Sequence, residues 1–208
     1  MGSITQFDLN IYIDNYNCKT YVETGTGMAE CLSYAIKYPF IKLYSVELDE
    51  DLVNQAKNKI NINSVEIIND YSTNALENKI LKELPKEPVL FFLDAHFPGA
   101  DFHKITYEES IIKYKEDCLP LNREIDIILK NRDISNDVFI IDDWFLYQPE
   151  LKYEAHNTVN WAYKQLQDSL GLMTDGNHII NKFRDTHTIF VDPRSQGYLI
   201  ITPKKILK

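Results

Sequence analysis

Two stretches of this chain, Val89-Leu90-Phe91-Phe92-Leu93 and Val138-Phe139-Ile140-Ile141, are apolar at every position, and each runs directly into aspartate. A strand with one face in water alternates apolar and polar side chains. A strand with no alternation is covered on both faces, as in the middle of a parallel sheet flanked by helices. Shorter β-rich runs at 20–22, 43–47 and 65–68 precede these two. Helical spacing or helix-favouring composition separates the runs at 28–38, 50–59, 72–81 and 121–130, with Ser72 as an expected N-cap. Strand and helix in alternation predict an α/β chain with a parallel sheet. After a further helical segment at 158–170, strand-like runs at 186–191 and 197–202 are joined by Asp192-Pro193-Arg194-Ser195-Gln196, the pattern of a terminal hairpin.

At 208 residues, with no Gly/Ser/Pro linker and no repeat, the chain is expected to form a single domain, 1–208. The segment 97–117 is long for a strand-to-helix connection and carries His103 and Tyr107, which suggests a lid or acceptor-binding insertion. Asp and Glu number 31 against 22 Lys and Arg, a net charge of −9 that opposes adsorption to nucleic acid or anionic membranes. Three cysteines without CxxC spacing argue against a disulfide framework or a structural zinc site, and fit a reducing compartment. No stretch reaches the roughly 18 apolar residues of a bilayer span, so a soluble, cytoplasmic protein is expected. A homo-oligomer is compatible with the sequence.

The first strand leads into Glu23-Thr24-Gly25-Thr26-Gly27, and Glu47 ends the second strand twenty residues on. Glycines let the main chain turn sharply and approach a ligand, while a carboxylate ending the next strand can accept hydrogen bonds from both ribose hydroxyls. The pair predicts a nucleoside cofactor. Glu23 before the glycines, and Glu30 where a third glycine of Gly-x-Gly-x-x-Gly would stand, place carboxylates where a pyrophosphate would rest. A cationic cofactor suits such a turn better.

Together with Asn69-Asp70-Tyr71-Ser72 after the third strand, these motifs resemble those of class I S-adenosylmethionine-dependent methyltransferases. The resemblance covers most of the chain and implies a Rossmann-like three-layer sandwich: a mostly parallel seven-stranded sheet with a C-terminal antiparallel hairpin. It further implies that Glu23, Thr24, Gly25 and Gly27 border the methionine moiety, that Glu47 with Leu48 holds the ribose, and that Asp70 and Tyr71 lie beside the adenine.

Asp94-Ala95-His96 ends the fourth strand and Asp142-Asp143-Trp144 the fifth. Were those strands neighbours, about 4.8 Å apart, three carboxylates would converge. Such a cluster must hold a proton, a cationic side chain or a metal, unless the acids instead cap helices or bond to loop amides. Oxygen ligands favour a hard cation. The arrangement resembles magnesium-dependent O-methyltransferases, including macrocin-type sugar enzymes, which implies Asp94, Asp142 and Asp143 as ligands of Mg2+ or Mn2+, with Asp94 also at the cofactor and in catalysis. His96 is the expected general base, because an alcohol leaves almost no alkoxide at neutral pH. Trp144, Phe145 and Tyr147 offer either an acceptor platform or core packing, while Trp161 and Tyr163 are expected to pack.

The expected activity is S-adenosylmethionine-dependent O-methylation of a sugar or glycan hydroxyl, with a small-molecule or glycan acceptor as partner. The alternatives are a nicotinamide-dependent sugar-nucleotide enzyme, for which no Tyr-x-x-x-Lys pair is evident, and a non-catalytic nucleoside-binding protein of the same fold.

Overall fold

A computed structural model describes residues 3–148 and 176–204. The segment 158–170, with Trp161 and Tyr163, lies outside the described residues. A short helix, α1 (Asn10–Tyr16), leads into β1 (Thr20–Thr24), α2 (Glu30–Ala35), β2 (Lys42–Glu47), α3 (Glu50–Lys59) and β3 (Val65–Asn69). Next come α4 (Ser72–Ala75), a π-helical turn at Leu76–Ile80, α5 (Leu81–Glu83), β4 (Val89–Leu93), α6 (Tyr107–Tyr114), α7 (Leu121–Asn131) and β5 (Val138–Ile141). Helix α8 (Gly176–Phe183) and strands β6 (His187–Asp192) and β7 (Tyr198–Pro203) close the described chain.

The sheet has seven strands in the order β3-β2-β1-β4-β5-β7-β6. The first five are parallel; β7 pairs antiparallel with both β5 and β6. Every residue of β1, β4 and β5 is buried, as the unbroken apolar runs of β4 and β5 require. Successive side chains alternate between two cores. Val22, Tyr44, Phe91, Phe139 and Ile201 pack with Leu76 of the π turn, Ile125 and Ile128 of α7 and Phe183 of α8. Tyr21, Leu43, Leu90, Ile140 and Tyr198 pack on the other face with Leu32 of α2 and Val53 and Ala56 of α3. The result is the parallel α/β sheet that the pattern predicts, in the three-layer, Rossmann-like form that the resemblance implies.

Local chemistry explains most boundaries. The Asp49 carboxylate accepts hydrogen bonds from the amides of Asp51 and Leu52, capping α3, whose last turn carries Lys57 and Lys59 toward the negative end of its dipole. Helix α6 opens on a reciprocal capping box between Thr106 and Glu109. Helix α2 begins only at Glu30, later than the pattern suggests, because Gly27 and Ala29 hold left-handed backbone at φ 52° and 57°. Ser72 does not cap α4: Tyr71 occupies that position without a side-chain bond, and the Ser72 hydroxyl bonds Glu124. All three cysteines are free thiols, and burial pushes Cys18 and Cys31 up to about 12 and Cys118 to about 11. Among the described residues, no helix is long and apolar enough to cross a membrane.

Candidate functional site

Strand order reverses beside β1: β2 and β3 lie on one side of it and β4 and β5 on the other. In open α/β sheets the crevice beyond the strand ends at such a point is where ligands bind. Here it is a cavity of about 290 Å³. The turn after β1 forms its floor. The amides of Gly25 and Thr26 both donate to the Val46 carbonyl, at 2.9 and 3.0 Å, pulling the turn onto β2. Gly25 sits at φ 83°, and a Cβ there would lie 2.8 Å from the Asp94 carbonyl oxygen, so only glycine lets β1 and β4 turn so closely together. Across the turn, the Gly27 amide donates to Glu47 Oε2 at 2.8 Å and the Asp49 amide to Oε1 at 2.9 Å.

Glu47 and Leu48 border the cavity, as do Gly25, Gly27, Asp70 and Tyr71. Burial raises the Glu47 carboxyl, opposed by the amide bonds it accepts. Each of its oxygens keeps capacity for a further donor. Asp70 Oδ1 accepts from the Tyr71 amide at 2.8 Å and from Asn74 at 3.3 Å. Glu23 and Thr24 are not among the lining residues. Glu23 is fully buried, accepting from Ser45 at 2.6 Å and Tyr21 at 2.8 Å, and burial brings it to about 7 against those two stabilising bonds. The Thr24 hydroxyl accepts from the Asp94 amide at 3.3 Å and faces Glu124 Oε2 at 3.5 Å.

Strands β4 and β5 are neighbours, with Leu93 opposite Ile141, so their terminal acids do meet. The group that converges is Asp94, His96 and Asp143, each offering a ligand atom within 4.8 Å of the others. His96 Nε2 hydrogen-bonds Asp143 Oδ2, and its Nδ1 lies 3.5 Å from Asp101 Oδ2. Asp142 stands outside that group. Its Oδ1 accepts from the Asp143 amide at 2.7 Å, and its buried Oδ2 has no partner among the described residues. Burial first, and then the neighbouring carboxylates, drive both Asp94 and Asp142 well above the ordinary carboxylate range. Such a cluster favours a proton or a cation. The donors, two carboxylates and an imidazole around one point with an orphaned carboxylate oxygen behind, fit a divalent ion bound through a few protein ligands.

The segment 97–117 covers the crevice, contributing Pro98, Asp101, Phe102 and Asp117 to its wall. The Phe102 ring lies 2.9 Å from where a Gly27 Cβ would be. Lys104 Nζ bonds Asp49 at 2.6 Å and Asp51 at 3.1 Å, fastening the segment to the start of α3. His103 is absent from the cavity wall. Trp144, Phe145 and Tyr147 are buried and do not line the main cavity, so they pack; Phe145 sits against Gly197.

Two features escaped the sequence reading. Phe102 and Asp101 reach the site only through the fold of their segment. Glu124 is fully buried beneath the cluster, beside Asp94, Asp142 and Tyr147. A signal for it existed: Leu121, Glu124, Ile125 and Ile128 form the buried stripe of α7, and an acid on an apolar stripe is out of place.

No protein-family model and no curated protein sequence matches this chain. Solved structures do. A candidate caffeoyl-CoA O-methyltransferase from Staphylococcus aureus superposes with a TM-score of 0.60 at 16% identity, covering 94% of this chain and 81% of its own. A candidate O-methyltransferase from Klebsiella pneumoniae gives 0.55 at 13%, covering 94% and 78%. The Podospora anserina methyltransferase PaMTH1, solved with SAH bound, gives 0.50 at 16%, covering 94% and 76%. At such identities the likeness is one of fold: the chain has the class I methyltransferase fold.

Proposed function

We propose that this protein is an S-adenosylmethionine-dependent O-methyltransferase, assisted by a divalent cation and acting on a sugar or glycan hydroxyl. The observation that carries the reading is Glu47 at the end of β2, bonded to the Gly27 amide across a glycine turn that opens into a cavity walled by carboxylates. Gly25 and Gly27 let the backbone approach a ligand, Glu47 accepts the ribose hydroxyls, and Asp70 and Tyr71 flank the base. S-adenosylmethionine supplies a methyl group on a cationic sulfur, which the carboxylates of the wall favour and the pyrophosphate of a nicotinamide cofactor would meet unfavourably. Glu30, at the first turn of α2, lines the same cavity and adds to that discrimination.

Asp94 and Asp143 would hold the cation, whose charge acidifies a neighbouring hydroxyl. Asp143 orients the His96 ring through Nε2, and Nδ1, 3.5 Å from Asp101 Oδ2, would take the acceptor's proton with that carboxylate beside the resulting imidazolium. Segment 97–117, with Phe102 over the turn, excludes water and holds the acceptor hydroxyl toward the cofactor. The sugar preference rests on the likeness to macrocin-type enzymes and on the need of an alcohol, more than a phenol, for this activation.

Calorimetric titration with S-adenosylmethionine, S-adenosylhomocysteine and NAD, with and without magnesium, tests the reading. Binding of the first two and not NAD is expected. Silence from both adenosyl compounds in folded protein overturns it.

A further inference from the structure

The segment ahead of α1 reaches the cavity from a side that neither the glycine turn nor the lid supplies. Ser3 lines the wall beside Glu30 and Cys31 at the start of α2, its hydroxyl 3.5 Å from Cys31 Sγ. One turn of 3-10 helix, Ile4–Gln6, follows, and Ile4, Phe7 and Leu9 are buried in the core that Leu32 of α2 shares. The lid packs Phe97, Ala100 and Ile111 into the opposite core. The two segments therefore close on the crevice from opposite faces of the sheet.

The terminal hairpin holds Ser3 in place. The hydroxyl of Tyr198, a fully buried residue of β7, accepts from the Ser3 amide at 2.7 Å and from Gln6 Nε2 at 2.9 Å. The Phe7 and Tyr198 rings meet edge to face with centroids 4.9 Å apart, and Arg194 of the hairpin turn lies over Phe7 and donates to the Gln6 carbonyl at 3.2 Å. Position along the sheet decides which part of a ligand this wall meets. Glu47 ends β2 and Asp70 follows β3 on one side of β1, whereas β7 lies beyond β4 and β5 on the other. A nucleoside with its ribose at Glu47 and its base at Asp70 extends its sulfur and amino-acid chain away from both, toward Ser3.

We infer that segment 3–7 forms the wall against the amino-acid end of the cofactor, and that Tyr198 is the positioning residue that keeps it there. The inference rests on the S-adenosylmethionine reading of the cavity. It gives the hairpin a task in cofactor binding that Tyr198 performs through Ser3, without lining the cavity itself.

Calorimetry on the full chain tests this by comparing S-adenosylhomocysteine with methylthioadenosine, which keeps the base, the ribose and the sulfur but lacks the amino-acid group. The parent protein is expected to bind both; binding of neither overturns the cofactor reading itself. Tyr198→Phe removes the oxygen that both donors share, and is expected to weaken S-adenosylhomocysteine about fivefold while changing methylthioadenosine less than about twofold. Gln6→Ala, at an exposed residue outside the cavity wall, leaves the Tyr198 ring in the core and is expected to cause a smaller loss, about twofold to threefold, for S-adenosylhomocysteine alone. Equal weakening of the two ligands would make Tyr198 a packing residue only. Unchanged affinity for S-adenosylhomocysteine in both variants would take the segment off the cofactor.

Discussion

Glu47 Oε2 accepts the Gly27 amide hydrogen bond at 2.8 Å, so the carboxylate that ends β2 also fixes the shape of the turn that follows β1. Two functions meet in one side chain: it sets the turn, and its remaining lone pairs face the cavity. Replacing it by glutamine keeps the shape and one acceptor oxygen but removes the charge. Hydrogen bonds to a charged group contribute roughly 1.5–3 kcal/mol, and about 1.4 kcal/mol is tenfold in affinity. Glu47→Gln is therefore expected to weaken S-adenosylmethionine binding tenfold or more, by calorimetry, and to lower the melting temperature as well, because its amide nitrogen would face one of the two backbone N–H donors, Gly27 or Asp49. An unchanged affinity would remove Glu47 from the ribose.

Gly25→Ala probes the other side of the same turn. At φ 83° an alanine is strained, and its Cβ would meet the Asp94 carbonyl oxygen at 2.8 Å, a backbone atom that cannot swing aside. Left-handed backbone for a residue with a side chain costs about 1–3 kcal/mol. The variant is expected to lose at least that much stability in urea denaturation. Because the clash pushes on β4 at Asp94, cofactor affinity should fall with it. A variant of full stability would mean that the turn is not held as tightly as these contacts require.

What was legible in the sequence follows the range of the forces involved. Strands β4 and β5 could be read because burial on both faces leaves unbroken apolar runs, the other strands as β-rich runs between helical patterns, and the glycine turn and Glu47 because turn chemistry is local. The insertion of β7 between β5 and β6 could not, since it depends on pairing across more than fifty residues. Asp142 and Asp143 are adjacent in sequence, yet only Asp143 joins Asp94 and His96, since neighbouring residues leave a strand on opposite faces and Asp143 has left-handed backbone at φ 49°. Ser72 fits a capping pattern, but a buried acid on another helix, Glu124, competes for its hydroxyl. Asp101 and Phe102 reach the cavity through tertiary folding alone.

Lys104 joins the covering segment to the capping residue of α3, with bonds of 2.7 and 2.6 Å to the two Asp49 oxygens and 3.1 Å to Asp51. Both partners lie at the surface, where salt screens them. The pair acts as a weak clasp on the segment that places Phe102 over the turn. Lys104→Met is expected to release S-adenosylhomocysteine several-fold faster in stopped-flow displacement. Raising the salt should speed release from the parent protein and leave the variant nearly unaffected. Identical salt dependence in both would show that the clasp does not control the cavity.

Glu124 gives the most direct pH signature. Wholly buried, it has the Ser72 hydroxyl and, at 3.5 Å, the Thr24 hydroxyl for one oxygen, while Oε1 has no partner among the described residues. Burial outweighs those bonds and lifts its carboxyl from an ordinary 4.5 to about 7. Between those values the folded chain holds a proton that the unfolded chain has released, so this group's contribution is complete below pH 4.5 and is lost as pH rises through 7. At about 1.4 kcal/mol per pK unit the loss reaches roughly 3 kcal/mol. Glu124→Gln cannot ionise. Its stability, from urea denaturation at pH 5, 6, 7 and 8, should decline less steeply than that of the parent, so that the variant is the more stable of the two at pH 8 and close to it at pH 5. Parallel curves would place the proton elsewhere in the acid cluster.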